Sequence, residues 1–248
     1  WSSDVCSSDL ELSDPARVAF QGVYPASCGE RVWAAAYPDA KSFAARAVEG
    51  MWRELGGKLT GSVRDGKVPA GLKPVFVATS PALAEVVRDV NKYSNNVMAQ
   101  QLFLTLALRQ NGVATFDGAR AALRQWWQAR LGDAEPPAPE NGAGLSRDAR
   151  ISAQALARML QLAWQSPVMP ELVSSLPIAG VDGTLRRSQS RAGTAHLKTG
   201  SLRDVMAVAG YVHAASGRRY VLVAIVNHPN ANAARPVLDA ITDWAARD

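Results

Sequence analysis

The stretch AHLKTGSL, Ala195 to Leu202, sets a Lys-Thr-Gly-Ser step inside an otherwise strand-like run, and what surrounds it decides the fold. Residues 205–212 and 220–226 are rich in β-branched side chains and are joined across 213–219, with Ser216-Gly217 at the turn. Three short strands, the first over 195–199, are therefore expected as an antiparallel meander. Beyond Asn227-His-Pro-Asn-Ala231, the residues Val237, Leu238, Ile241, Trp244 and Ala245 recur at helical spacing. This predicts a C-terminal helix packed on the sheet.

N-terminal to that sheet, the period changes from two to 3.6. Ser80-Pro81 reads as the N-cap and first position of a helix that carries Leu83, Val86, Val87 and Val90 and ends near Lys92-Tyr93. A second helix is expected over 96–110, closed by Asn111-Gly112, and a third over 117–131, closed by Gly132. Ser152 caps a fourth reaching Gln165, while 133–144, with its three prolines, and 167–193 read as irregular. Before Pro74 the runs 16–24, 31–37 and 58–68 read as strands. They flank a helix with Phe43, Ala47, Val48, Met51, Trp52 and Leu55 on its repeat, stopped by Gly56-Gly57. The expected fold class is α+β: an antiparallel sheet packed with helices plus a helical part over about 80–193, preceded by a small β-rich module.

The composition excludes several classes. A chain of 248 residues with 48% apolar content can bury a substantial core. Its net charge of +5 is spread without a clustered basic tract, so no nucleic-acid role is expected. No window is apolar enough for a spanning helix. The opening WSSDVCSSDL has neither a charged n-region nor an apolar core and reads as a non-native leader, with the natural N-terminus missing. With Cys6 set aside, Cys28 stands alone, and neither a disulfide framework nor a metal cluster is expected. His196, His213 and His228 are too scattered for metal spacing and read as surface or strand residues.

Two motifs remain. Lys198-Thr-Gly would arise by chance roughly 0.015 times in a chain of this composition, whereas Ser-x-Asn, present as Ser94-Asn95-Asn96, would arise roughly 0.6 times. The first is therefore specific alone and the second only in its company. The pair, about 100 residues apart and followed by a meander, resembles two of the three motifs of the penicillin-binding and serine β-lactamase superfamily. Over about 11–248 the segments 90–99 (VNKYSNNVMA), 140–147 (ENGAGLSR), 180–185 (GVDGTL) and 193–201 (GTAHLKTGS) resemble the D-alanyl-D-alanine carboxypeptidase/endopeptidase family, whose members carry domains inserted in a transpeptidase-like fold. The resemblance implies a β-lactamase/transpeptidase-like domain over 76–248 and the remnant of an inserted domain over 11–75. It implies no metal or organic cofactor.

That family's nucleophile sits in Ser-x-x-Lys, and none of Lys41, Lys58, Lys67, Lys73, Lys92 or Lys198 has a serine three residues before it. The expectation is that the nucleophile lies upstream of a truncated chain, which would be inactive alone. By resemblance, Ser94 relays a proton to the departing D-alanine amine, and Asn96 binds the substrate's acyl side chain. Lys198 supplies positive charge beside Ser94; Thr199 and Ser201 offer hydroxyls to the substrate carboxylate. Gly200 leaves the strand edge open for a peptide, and the Ser201 N–H helps form an oxyanion hole. Asp182-Gly-Thr184 reads equally as a structural turn or a substrate contact, and Asn141 to Gly144 as a plain loop or a cleft border. The implied function is a serine-type D-Ala-D-Ala carboxypeptidase, also acting as an endopeptidase, on peptidoglycan stem peptides in the periplasm or cell envelope, and binding penicillin and other β-lactams. A serine β-lactamase and a non-catalytic cell-wall-binding protein of the same fold are the alternatives.

Overall fold

The computed structural model describes residues 9–11, 14, 17–30 and 37–248. The chain divides into two compact units, Trp1–Val77 and Ala78–Asp248.

In the first unit β1 (Asp9–Glu11) pairs antiparallel with β2 (Ala19–Gln21), and α1 spans Ala40–Glu54. The Asp39 carboxylate caps α1 by accepting from the Lys41 N–H at 3.2 Å. At the other end the Gly57 N–H returns to Trp52 O at 2.8 Å, and Trp52 Nε1 donates to Lys58 O at 3.1 Å. A Cβ on Gly57 would lie 2.3 Å from the Trp52 ring, so glycine permits this fold-back. Residues 58–68 form no strand, contrary to expectation. Only Leu59, Val63 and Val68 are large and apolar there, separated by Gly61, Gly66 and charges, so no continuous face exists to bury. The strand expected over 31–37 falls mostly outside the described residues. Among those described, the longest regular element of this unit is a helix, α1. Cys28 is disulfide-bonded, which corrects the expectation that it stands alone.

The second unit opens with α2 (Leu83–Tyr93), α3 (Asn96–Asn111), α4 (Phe116–Leu131), α5 (Ala153–Trp164) and α6 (Met169–Ser175). Ala82 rather than Ser80 precedes α2; its N–H is taken by the Glu85 carboxylate at 3.0 Å, which starts the helix later than Ser80-Pro81 predicts. Thr115 caps α4 by accepting from the Gly118 N–H at 3.1 Å. Phe103 and Ala107 of α3 pack on Ala119 of α4. The region 167–193 is not wholly irregular. Pro170 near the start of α6 and Glu171 in its first turn favour a helix start, a short signal masked by the surrounding loop composition.

The sheet follows as β3 (Ala195–Leu202), β4 (Val205–His213) and β5 (Arg219–Asn227) in that spatial order, all antiparallel, and α7 (Arg235–Arg247) closes the chain. Alternation gives the sheet two buried faces. On one, Ala195, Leu197, Met206, Val208 and Val212 pack with Leu238 and Ala246 of α7. On the other, Tyr211 packs with Leu160 of α5 and with Leu176, donates to Leu160 O at 2.8 Å, and stacks obliquely on Trp164. Burial pushes the Tyr211 hydroxyl up to about 12, so it stays a donor.

The outer edge of β3 is only half covered. Pro177 O accepts from the Leu197 N–H, and the Ala179 N–H donates to Ala195 O, both at 2.9 Å. Along a strand the backbone groups of alternate residues point the same way, so those of Thr199 and Ser201 also face outward. Among the described residues no strand covers them.

Candidate active site

The site begins at the junction of α2 and α3. Ser94 is the C-cap of α2, with φ 55° and ψ 47°, and is the only described non-glycine residue with positive φ. A left-handed serine costs about 1–2 kcal/mol. Its neighbour Asn95 holds it there: the Asn95 N–H reaches back to Val90 O at 3.2 Å, while the Asn95 carboxamide oxygen accepts from the Met98 N–H at 3.0 Å and caps α3. Two helices thus meet with no slack, and the Ser94 hydroxyl is held at their corner.

Lys198 arrives from the middle of β3. It pairs with Ala209 across the strand and shares the face of Tyr211. Its Nζ donates to Ser94 Oγ at 3.1 Å and to Thr199 O at 2.9 Å. Among the described residues no carboxylate forms an ion pair with it, and burial pushes its ammonium below the usual lysine value. Such an amine gives up its proton more readily than a solvated lysine. What the geometry offers is a desolvated amine in contact with a hydroxyl.

The neighbouring positions divide between faces. Thr199 points to the opposite side of β3, where its Oγ1 lies 2.7 Å from Thr184 Oγ1. A Cβ at Gly200 would meet only Ala207 Cβ, at 3.7 Å, so packing does not demand glycine there; its effect is to leave the open side of the strand clear. Ser94, Asn96, Lys198, Thr199, Gly200 and Ser201 all line one cleft of about 1330 Å³. The six residues singled out in the sequence are therefore brought to one place.

One wall of that cleft is the loop 139–149, closed by reciprocal backbone bonds between Ala138 and Arg150 at 2.8 and 3.0 Å. Asn141 Oδ1 accepts from the Ala143 and Gly144 N–H groups, both at 2.9 Å, and the Gly142 N–H donates to Gln100 of α3 at 2.8 Å. A Cβ on Gly142 would come within 2.4 Å of Phe103 Cβ and 2.8 Å of Ala99 O. Glycine lets this loop lie flat on α3 and border the cleft. Arg147 then pairs with Asp204 in the β3–β4 turn; both are exposed, so the pair contributes little stability.

Sequence reasoning missed an ion pair behind Ser94, made by a buried lysine and a partly exposed aspartate. Lys92, only 4% exposed, donates to Asp182 Oδ2 at 2.6 Å, and Asp182 Oδ1 accepts from the Ile178 N–H at 2.8 Å. Burial raises the Asp182 carboxyl, but the Lys92 ammonium and the Ile178 N–H outweigh it and hold the group below the usual carboxylate range. The only local hint was a lysine in the last turn of α2, which reads as an ordinary helix-end cation. The partner 90 residues away left no mark nearby.

The histidines are less scattered in space than in sequence. His196 and His213 stack with ring centroids 5.2 Å apart. His196 Nδ1 donates to Val173 O at 3.1 Å, and His213 Nε2 is buried with no hydrogen-bond partner among the described residues. Burial holds both imidazoles below their ordinary 6.5. A base whose folded pKa is depressed contributes stability that is present above 6.5 and is lost as pH falls through the folded value. Unfolding midpoints are therefore expected to fall as pH drops from about 7.5 to about 5, and His213→Phe, which keeps the stack but not the titration, is expected to flatten that decline.

The site thus lies on an antiparallel sheet flanked by helices on both faces, with a serine at a helix corner and a lysine on the edge strand. The structure of penicillin binding protein 4 from Haemophilus influenzae, complexed with a beta-lactam, superposes with a TM-score of 0.74 at 22% identity over 97% of this chain and 60% of that one. The model of the D-Ala-D-Ala carboxypeptidase 3 (S13) family matches residues 2–248, and the chain belongs to that family. It is 31% identical over 182 residues to carboxypeptidase Rv3627c of Mycobacterium tuberculosis, covering 70% of this chain and 39% of that protein. It is 28% identical over 236 residues to the D-alanyl-D-alanine carboxypeptidase of Actinomadura sp., covering 90% and 44%. The chain thus spans less than half the length of these two relatives.

Proposed function

We propose that the chain is part of a serine-type D-Ala-D-Ala carboxypeptidase acting on peptidoglycan stem peptides through an acyl-serine intermediate, and that it supplies the proton relay and the substrate edge. The observation that carries this reading is the 3.1 Å contact between Lys198 Nζ and Ser94 Oγ beside the open part of β3. In acyl transfer a serine attacks the peptide carbonyl, and the departing amine must receive a proton. Ser94, in contact with an amine of lowered pKa, is placed to pass one on. Asn96 faces the same cleft to hold the acyl portion of the substrate. The Ser201 N–H, directed outward, is available to an oxyanion, a contact whose loss costs about 3 kcal/mol. The hydroxyls of Thr199 and Ser201 serve the terminal carboxylate. Cleavage of cross-linked peptides would use the same steps, and such a substrate places the protein in the periplasm or cell envelope.

The attacking serine is assigned to a Ser-x-x-Lys segment outside these 248 residues, since no lysine of the chain has a serine three positions earlier; residues 11–75 are read as the end of a domain inserted after it. A fluorescent penicillin is expected to leave the chain unlabelled and to label it covalently once that segment is restored. Labelling of the chain alone would move the nucleophile into it. Failure with the segment restored would favour a non-catalytic wall-binding protein, and rapid turnover of penicillin a β-lactamase.

A further inference from the structure

Behind the cleft, the segment 175–184 makes contacts on two sides. Toward α2, the buried Ser175 hydroxyl accepts from Asn91 Nδ2 at 2.7 Å, and Asp182 accepts from Lys92 at 2.6 Å. Gly183 lies so close to Lys92 that a Cβ on it would be 2.6 Å from Lys92 O, and its φ of 55° is left-handed. Toward β3, Pro177 O takes the Leu197 N–H, and Thr184 Oγ1 meets Thr199 Oγ1 at 2.7 Å. The segment is thus a strut between the helix that ends in Ser94 and the strand that carries Lys198, and the Lys92–Asp182 ion pair is its anchor on the helix side.

We propose that Lys92 and Asp182 are positioning residues that set the separation between Ser94 Oγ and Lys198 Nζ. The catalytic meaning of that separation rests on the proposed carboxypeptidase function; the geometric claim does not. With Lys92 buried and Asp182 about a third exposed, the pair is a poor device for stability, because the attraction is offset by the cost of desolvating the lysine and apolar residues of similar volume commonly replace such a pair without loss. It is a good device for geometry, because the short contact to Lys92 and the second oxygen's bond to the Ile178 N–H fix both the distance and the direction of the Asp182 carboxylate. Lys92 is two residues before Ser94, so a displaced Lys92 shifts the strained serine directly.

A merely structural pair and a positioning pair differ in what an apolar replacement does. The chain has six lysines, few enough for each to be followed by NMR of ¹³C-labelled lysine side chains. The groups facing Lys198 Nζ are the Ser94 hydroxyl and the Thr199 carbonyl, with His196 two residues along the same face. In Asp182→Asn, and in the double variant Lys92→Met with Asp182→Leu, the Lys198 amine is expected to leave Ser94, hydrate, and titrate at higher pH than in the unaltered chain. The double variant is expected to keep its unfolding midpoint. Thr184→Val, which cuts the strut at its other end, is expected to shift the titration in the same direction by less, and Lys92→Arg to restore most of the original value. Should Asp182→Asn fail to fold, the double variant and Thr184→Val carry the test. An unchanged Lys198 titration in the folded variants overturns the proposal. Whether penicillin labels the protein at all reports the nucleophile, whereas the Lys198 titration of the chain reports this spacing, so either idea can fail while the other stands.

Discussion

Lys198→Ala, made in a protein that also carries the Ser-x-x-Lys segment, is expected to slow penicillin acylation about 10²- to 10⁴-fold, the range of a lost proton carrier. The cause is local. Lys198 Nζ is bound to one hydroxyl and one carbonyl, has no ion-paired carboxylate among the described residues, and is held by burial below the usual lysine value. Removing a desolvated amine with no counter-charge is expected to leave the unfolding midpoint within a few degrees of the original, so a large kinetic effect would not reflect unfolding. Lys198→Arg separates the two roles of the residue. A guanidinium keeps the charge but cannot release its proton, so it should preserve substrate binding and fail to restore the rate. Recovery of the full rate by arginine would show that charge alone suffices.

Gly210→Ala is expected to be the most damaging single methyl in the sheet, lowering stability by about 3 kcal/mol as read by chemical denaturation. Gly210 pairs with Leu197 across β3 and β4. A Cβ there would lie 2.1 Å from His196 O and 3.0 Å from Leu197 Cα. Both obstacles are backbone, so no rotamer change relieves them, and β3 must move away from β4. Because Lys198 is the next residue on β3, the variant is also expected to weaken acylation in the protein carrying its nucleophile. Gly200→Ala is the internal control: its Cβ meets only Ala207 at ordinary contact distance, so stability should hold and any loss would report the open edge of the strand.

Legibility in the sequence tracked the range of the physical signal. The meander and α7 were legible because alternation and helical spacing act over a few residues, and the Asn111-Gly112 and Gly132 stops mark local backbone conformation. The six cleft residues were found through motif resemblance, and their convergence is a tertiary fact that spacing alone does not contain. Residues 58–68 were misread because isolated valines between glycines look strand-like until a partner strand is required. The helix at α6 was hidden because its seven residues span about two turns, too few for periodicity to stand out. The Lys92–Asp182 pair was invisible for a different reason: an ion pair spanning 90 residues is made by the fold, and neither partner's neighbours record it.

The half-covered rim of β3 has a metric consequence. Pro177 to Ala179 end the available ladder just before Lys198, so an incoming chain can engage Thr199 and Ser201 but runs into protein at the Leu197 side. Under the proposed function, such a blind-ended slot would measure distance from a terminus: it would admit a short tail beyond the Lys198 amine and turn away a polypeptide threading through. A ruler of this kind would make selection for chain ends a property of the backbone, independent of any side chain that contacts the final residue.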